Sequence, residues 1–138
     1  MNTYNINDNE FKNSSLYSNF LKDNPSRGGL RIRAYSANGA VPISNVKVIV
    51  STIYDNNNII MFEGTTDESG LIERISLPTP KLDMNNLDTP NKITYDIKSI
   101  YDKNSFDRTF KIDLYEGVMV IQNINIVPDM MVGGFFGS

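Results

Sequence analysis

The spacing of apolar residues changes character along the chain, and each change predicts an element. Residues 1–13 are polar and Asn-rich and predict an arm without fixed structure of its own. In Asn13 to Pro25, Leu16, Tyr17, Phe20 and Leu21 share one helical face, with Asn13 or Ser14 as N-cap. Pro25 and Gly28-Gly29 are expected to stop that helix. So short a helix is marginal alone, so its apolar face must dock on its own domain or on a neighbour.

From Gly29 the period is two. Leu30, Ile32 and Ala34 alternate with Arg31, Arg33 and Tyr35, and Val46, Val48 and Val50 alternate with Lys47, Ile49 and Ser51. Asn38-Gly39 and Asp55 to Asn58 are turn signals. Further strands are predicted at 59–65, 71–76, 94–101, 106–114 and 118–127. Pro78 and Pro80 should end regular pairing, and 81–92 is a long polar loop. Gln122 interrupts the apolar face of the last strand while Ile121 adds an apolar residue to the other, which predicts a bulge or a strand covered on both sides. Seven strands with turn residues between them predict an all-β sandwich. The organisation expected is an N-terminal arm with a short amphipathic helix (1–28), the sandwich (29–128), and an apolar Gly/Phe/Met tail (129–138). That tail either folds back over the sandwich or plugs a groove on a partner.

The length of 138 residues suits one domain. The formal net charge of -3 gives no reason to expect nucleic-acid binding. No Cys and no His are present, which removes disulfides, Cys–His zinc sites, Cys nucleophiles and the Ser–His–Asp triad. No apolar run approaches the roughly 20 residues that span a bilayer. The first ten residues lack a signal peptide's basic and apolar regions. The expectation is a soluble chain made in the cytoplasm, with a spore envelope or a released particle as its place of action.

Candidate chemistry is weak. Ser44-Asn-Val-Lys47 has S-x-x-K spacing, but Lys47 lies in a strand pattern and the companion motifs S-D-N and K-T-G are missing. Asp102, Asn104 and Asp107 lack the Gly and distal Glu of a calcium loop. Glu63, Asp67 and Glu68 read as turn carboxylates, and Lys47, Asn123 and Glu63 as a poor match to an isopeptide triad. The expectation is no catalytic residue, no cofactor and no metal.

Gly29-Leu-Arg-Ile-Arg-Ala-Tyr35, Val41-Pro-Ile-Ser-Asn-Val-Lys-Val-Ile-Val50, Thr66-Asp-Glu-Ser-Gly-Leu-Ile72, Ile75-Ser-Leu-Pro-Thr-Pro80, Tyr95-Asp-Ile97 and Gln122 to Pro128 follow one another in a recognisable order. Residues 29–128 thereby resemble the carboxypeptidase regulatory-like (transthyretin-like) β-sandwich. The variant they resemble is the one found in spore-forming anaerobes, alone or fused to spore cortex-lytic and peptidoglycan-binding proteins. Asn45 stands where that family usually has Gly or Ala. The resemblance implies a seven-stranded Greek-key sandwich acting as a docking or adhesion module.

Two functions follow as expectations. The first is a non-enzymatic structural or assembly subunit in a spore envelope, appendage or phage-like tail. It would contact other protein subunits, its own kind included, through Leu16, Tyr17, Phe20 and Leu21 of the arm and Met130, Met131, Phe135 and Phe136 of the tail. The second is an accessory module for peptidoglycan or a cell-wall hydrolase, stacking sugars on Tyr35, Tyr54, Tyr101 and Tyr115. Neither involves nucleic acid or a membrane.

Overall fold

Each period-two stretch forms a strand, and two short strands join them. The computed structural model describes residues 1–101 and 106–127. In chain order the elements are β1 (Thr3–Asn5), α1 (Asn9–Lys12), α2 (Ser15–Asp23), β2 (Ser26–Ser36), β3 (Val41–Pro42), β4 (Lys47–Tyr54), β5 (Asn57–Thr65), β6 (Leu71–Thr79), β7 (Ile93–Tyr101), β8 (Phe106–Leu114) and β9 (Met119–Asn125). One sheet has the order β1-β5-β4-β7-β8. In the other, β2 pairs with β3 and β6 antiparallel and with β9 parallel.

The two sheets form a β-sandwich with one core. Val48, Val50, Ile59, Tyr95, Ile97 and Leu114 come from the first sheet, and Leu30, Ile32, Ile75, Leu77, Ile124 and Ile126 from the second; all are buried. The Tyr95 hydroxyl donates to the Pro78 carbonyl at 2.7 Å, tying β7 to β6 across the layers. Burial also pushes the Tyr95 pKa well above the usual tyrosine range.

Thr66-Asp-Glu-Ser-Gly70 is a built corner. The Thr66 hydroxyl donates to the Ile43 carbonyl at 2.8 Å and accepts from the Val46 amide at 3.1 Å. Asp67 Oδ1 accepts from the Ser69 and Leu71 amides at 2.8 and 3.0 Å. Gly70 has φ +75, and a Cβ there would meet the Ala34 carbonyl oxygen at 2.4 Å. Asn45 has φ 63, a left-handed conformation that Gly or Asn tolerates best. Asp55 and Asn56, with φ 48 and 58, close the β4–β5 hairpin by the same tolerance.

Several expectations need correction. Residues 1–13 are not structureless: β1 adds to β5 in parallel, and Asp8 caps α1 by accepting from the Glu10 amide at 3.0 Å. Aromatic contacts tie this segment to the core. Tyr4, Phe11, Tyr17, Phe20 and Tyr54 form a continuous run of ring contacts with centroids 5.1 to 6.3 Å apart. Of the two caps expected for α2, Ser14 is the one used, accepting from the Tyr17 amide at 3.2 Å. Gly28 and Gly29 do not stop the helix but lie inside β2. A Cβ on Gly28 would meet the Tyr115 carbonyl oxygen at 2.6 Å, so close backbone approach explains that glycine. β6 runs through Pro78 to Thr79, which an edge strand permits. Among the described residues nine strands stand where seven were expected, because β1 and β3 are too short to show a period. Among the described residues no helix is long and apolar enough to cross a membrane.

Candidate functional site: the open edge of β9

A sheet edge presents unpaired N–H and C=O groups, and folded domains usually guard them with charge, proline, bulges or a covering segment. On the first sheet, β8 carries Asp107, Arg108, Lys111 and Asp113. Lys111 Nζ lies 2.6 Å from Asp96, and Lys92 Nζ 3.0 Å from Asp113. At the opposite edge β1 covers part of β5. On the second sheet, β6 carries Glu73, Arg74 and Pro78 and an irregular register opposite Leu30–Ile32.

Among the described residues, β9 has none of these guards. Met119-Val-Ile-Gln-Asn-Ile-Asn125 contains no charged residue and no proline. Its register with β2 runs without a shift from Gly29↔Met119 to Tyr35↔Asn125. The bulge or two-sided cover expected around Gln122 is therefore absent: Gln122 Nε2 turns back to donate to the Asn123 carbonyl at 2.9 Å, and Ile121 is 54% exposed. Val118, Met119 and Val127 are exposed as well.

Two bonds fix which backbone groups are open. Gly29 N–H donates to the Val118 carbonyl and Ile126 N–H to the Tyr35 carbonyl, at 2.9 and 2.8 Å. Parallel pairing alternates along a strand, so the even-numbered residues of β9 face β2. Met119, Ile121, Asn123 and Asn125 point their N–H and C=O the other way. Among the described residues no strand pairs with that side.

A cleft of about 240 Å³ opens at the start of β9, on the outer face of the second sheet. Gly28 and Gly29 floor it, Arg27, Arg74 and Ser76 form one wall, and Gly117, Val118 and Met119 the other. A Cβ on Gly29 would meet Met119 Cε at 2.7 Å. Arg27 is held by Ser76, through Nε to Oγ at 3.1 Å and NH2 to the carbonyl at 3.2 Å.

The residues singled out from the sequence lie elsewhere. Phe20 is fully buried in the domain's own core, and Leu16, Tyr17 and Leu21 pack against it. The helix has docked on its own domain, so this face is occupied. Met130, Met131, Phe135 and Phe136 lie outside the described residues. Tyr35, Tyr54, Tyr101 and Tyr115 are half-buried on different elements; Tyr54 is edge-on to Phe20, and Arg33 lies over Tyr35 at 4.6 Å. Lys47 opens a strand rather than a helix and is exposed on the first sheet, while Asn123 is on the second. Glu63 accepts from Asn5 Nδ2 at 3.0 Å. Asp107 pairs with Lys98 at 3.7 Å; Asp102 and Asn104 lie outside the described residues.

The shifted pKa values mark structural contacts. Hydrogen bonds from Thr94 and Lys92 hold Asp113 below the usual carboxylate range, and the Asp113 bond raises Lys92. The Asp23 hydrogen bond pushes Tyr54 up to about 12. Among the described residues no group of three or more acidic side chains converges as a metal site would require. The β9 edge escaped sequence reasoning because strand order is not written in a period; the uncharged run 119–125 was its one visible signal.

No known protein family matches the sequence, and no curated protein does. Among solved structures, the chain is similar to catechol 1,2-dioxygenase from Acinetobacter sp. ADP1, inhibited by bound mercury. The TM-score is 0.46 and the identity 12%, over 91% of this chain and 57% of that one. A second is (S)-allantoin synthase, with TM-score 0.43 and 10% identity over 79% of this chain and 45% of that one. The chain spans about half the length of each. Likeness at that level carries no argument about activity.

Proposed function

We propose that the protein is a non-enzymatic docking subunit that binds other protein subunits by accepting an added strand along β9. The observation that carries this reading is the edge itself, unguarded among the described residues: four outward N–H groups and three open C=O groups, the Asn123 carbonyl being taken by Gln122, beside exposed Val118, Met119 and Ile121. An added strand gains main-chain hydrogen bonds there and apolar contact at alternate positions. An ordered assembly (spore envelope, appendage or phage-like tail) is the setting this proposal favours. The same reading takes the domain as a Greek-key, transthyretin-like sandwich. Its support is the chain path: hairpins β4–β5 and β7–β8 in one sheet, with a crossing to β6 and back between them.

Selection from a random library of extended peptides tests it. Binders are expected to shift the amide resonances of Met119, Ile121 and Asn125, and Ile121→Pro is expected to abolish binding while leaving the thermal transition in place, since that N–H faces the open side. Binders that map to other elements, or that tolerate both Ile121→Pro and Asn125→Pro, would overturn the reading.

A further inference from the structure

Four of the five arginines of the chain, Arg27, Arg31, Arg33 and Arg74, lie on β2 and β6. No lysine lies on β2, β3, β6 or β9. Against these four cations the same strands hold one carboxylate, Glu73, which pairs with Arg31 at 3.2 Å. The formal charge of the whole chain is -3, so the cationic character is concentrated on one face and not general. Two of the remaining arginines have internal duties: Arg27 is braced by Ser76, and Arg33 lies over the Tyr35 ring. Arg74 is exposed and makes no hydrogen bond or ion pair among the described residues.

Arg27 and Arg74 stand in one wall of the cleft whose other wall, Val118 and Met119, leads into the open edge. Guanidinium groups match carboxylates with a planar fork, and a braced Arg loses less side-chain freedom on binding than a free one. The cleft, about 240 Å³, is the space open to a side-chain head group, with the flexible Met119 side chain lying over Gly29 at its edge. Backbone N–H and C=O groups along β9 call for a polypeptide partner, and the arginines call for acidic side chains on it. We infer that Arg27 and Arg74, beside the open edge of β9, form a carboxylate-binding subsite that selects an acidic extended segment of a partner protein. A second copy of this chain would bring its own unguarded edge but an arginine face of the same sign, so charge favours a different, acidic chain. This inference rests on the strand-addition reading and adds the chemistry of the partner.

The test uses fluorescent nine-residue peptides that alternate Glu with Val, Gln with Val, or Lys with Val, read by anisotropy on the full chain. The Glu peptide is expected to bind at least about tenfold more tightly than the Gln peptide, with a preference that shrinks as salt rises. Arg74→Gln, which breaks no side-chain contact, is expected to erase most of that preference, and Arg27→Gln with Arg74→Gln all of it. Equal binding of Glu and Gln peptides would overturn the acidic subsite and leave strand addition standing. Glu-peptide binding that survives Ile121→Pro but is lost in the arginine variants would overturn strand addition instead. Self-association through β9 with no peptide binding would overturn the acidic partner in favour of a second copy.

Discussion

The Tyr54 hydroxyl donates to Asp23 Oδ2 at 2.6 Å, joining the end of β4 to the last residue of α2. That bond accounts for the first prediction. Tyr54 is neutral when protonated, and its folded pKa, about 12, lies above its ordinary 10.0. Its contribution to stability is therefore fully present below pH 10 and is lost as pH rises through about 12. Tyr54→Phe should cost about 1 kcal/mol at neutral pH, the net worth of one hydrogen bond at a partly exposed site. It should also remove the step near pH 12 from the tyrosine absorbance titration of the folded protein. A step that persists in the variant would assign it to another tyrosine.

Phe20 is the centre of the second prediction. Its ring is fully buried between Tyr17 and Tyr54. Phe20→Ala should cost about 3–5 kcal/mol in urea unfolding, as for other buried aromatic truncations. Removing residues 1–24 should leave a chain that does not fold stably, because Phe11, Phe20 and β1 all go with it. A truncated chain with an undiminished unfolding midpoint would show that the segment is an appendage after all.

Why the sequence misled on this segment is physical. Tyr4, Ile6 and Phe11 are isolated among polar residues, so no period marks them, yet each packs against the core. Their partners are far along the chain, as β1 against β5 makes plain. Local chemistry was legible where partners are close in sequence. Asp67 capping its own turn, Asp55-Asn56 closing a hairpin and Ser14 capping α2 all bond within a few residues. The strands themselves were legible for the same reason, since alternation is local. That β9 pairs with β2 in parallel across about ninety residues, and so ends at an open edge, follows only from the assembled sheet.

Thr79 supplies a third prediction. It is fully buried, and its hydroxyl has no hydrogen-bond partner among the described residues. Replacing that hydroxyl with a methyl of similar size removes an uncompensated desolvation cost. Thr79→Val should stabilise the fold by about 1 kcal/mol in urea unfolding. A loss of similar size would mean that the hydroxyl is satisfied and that its bond belongs to the fold.

The claim that β9 is an open edge is tested most directly by residue-resolved amide hydrogen exchange across 119–125. Val120, Gln122 and Ile124 should be protected by β2. Met119, Ile121, Asn123 and Asn125 should exchange faster by about tenfold or more, giving an alternation along one strand. Uniform protection of all seven amides would mean that the edge is already covered, and would contradict the docking account.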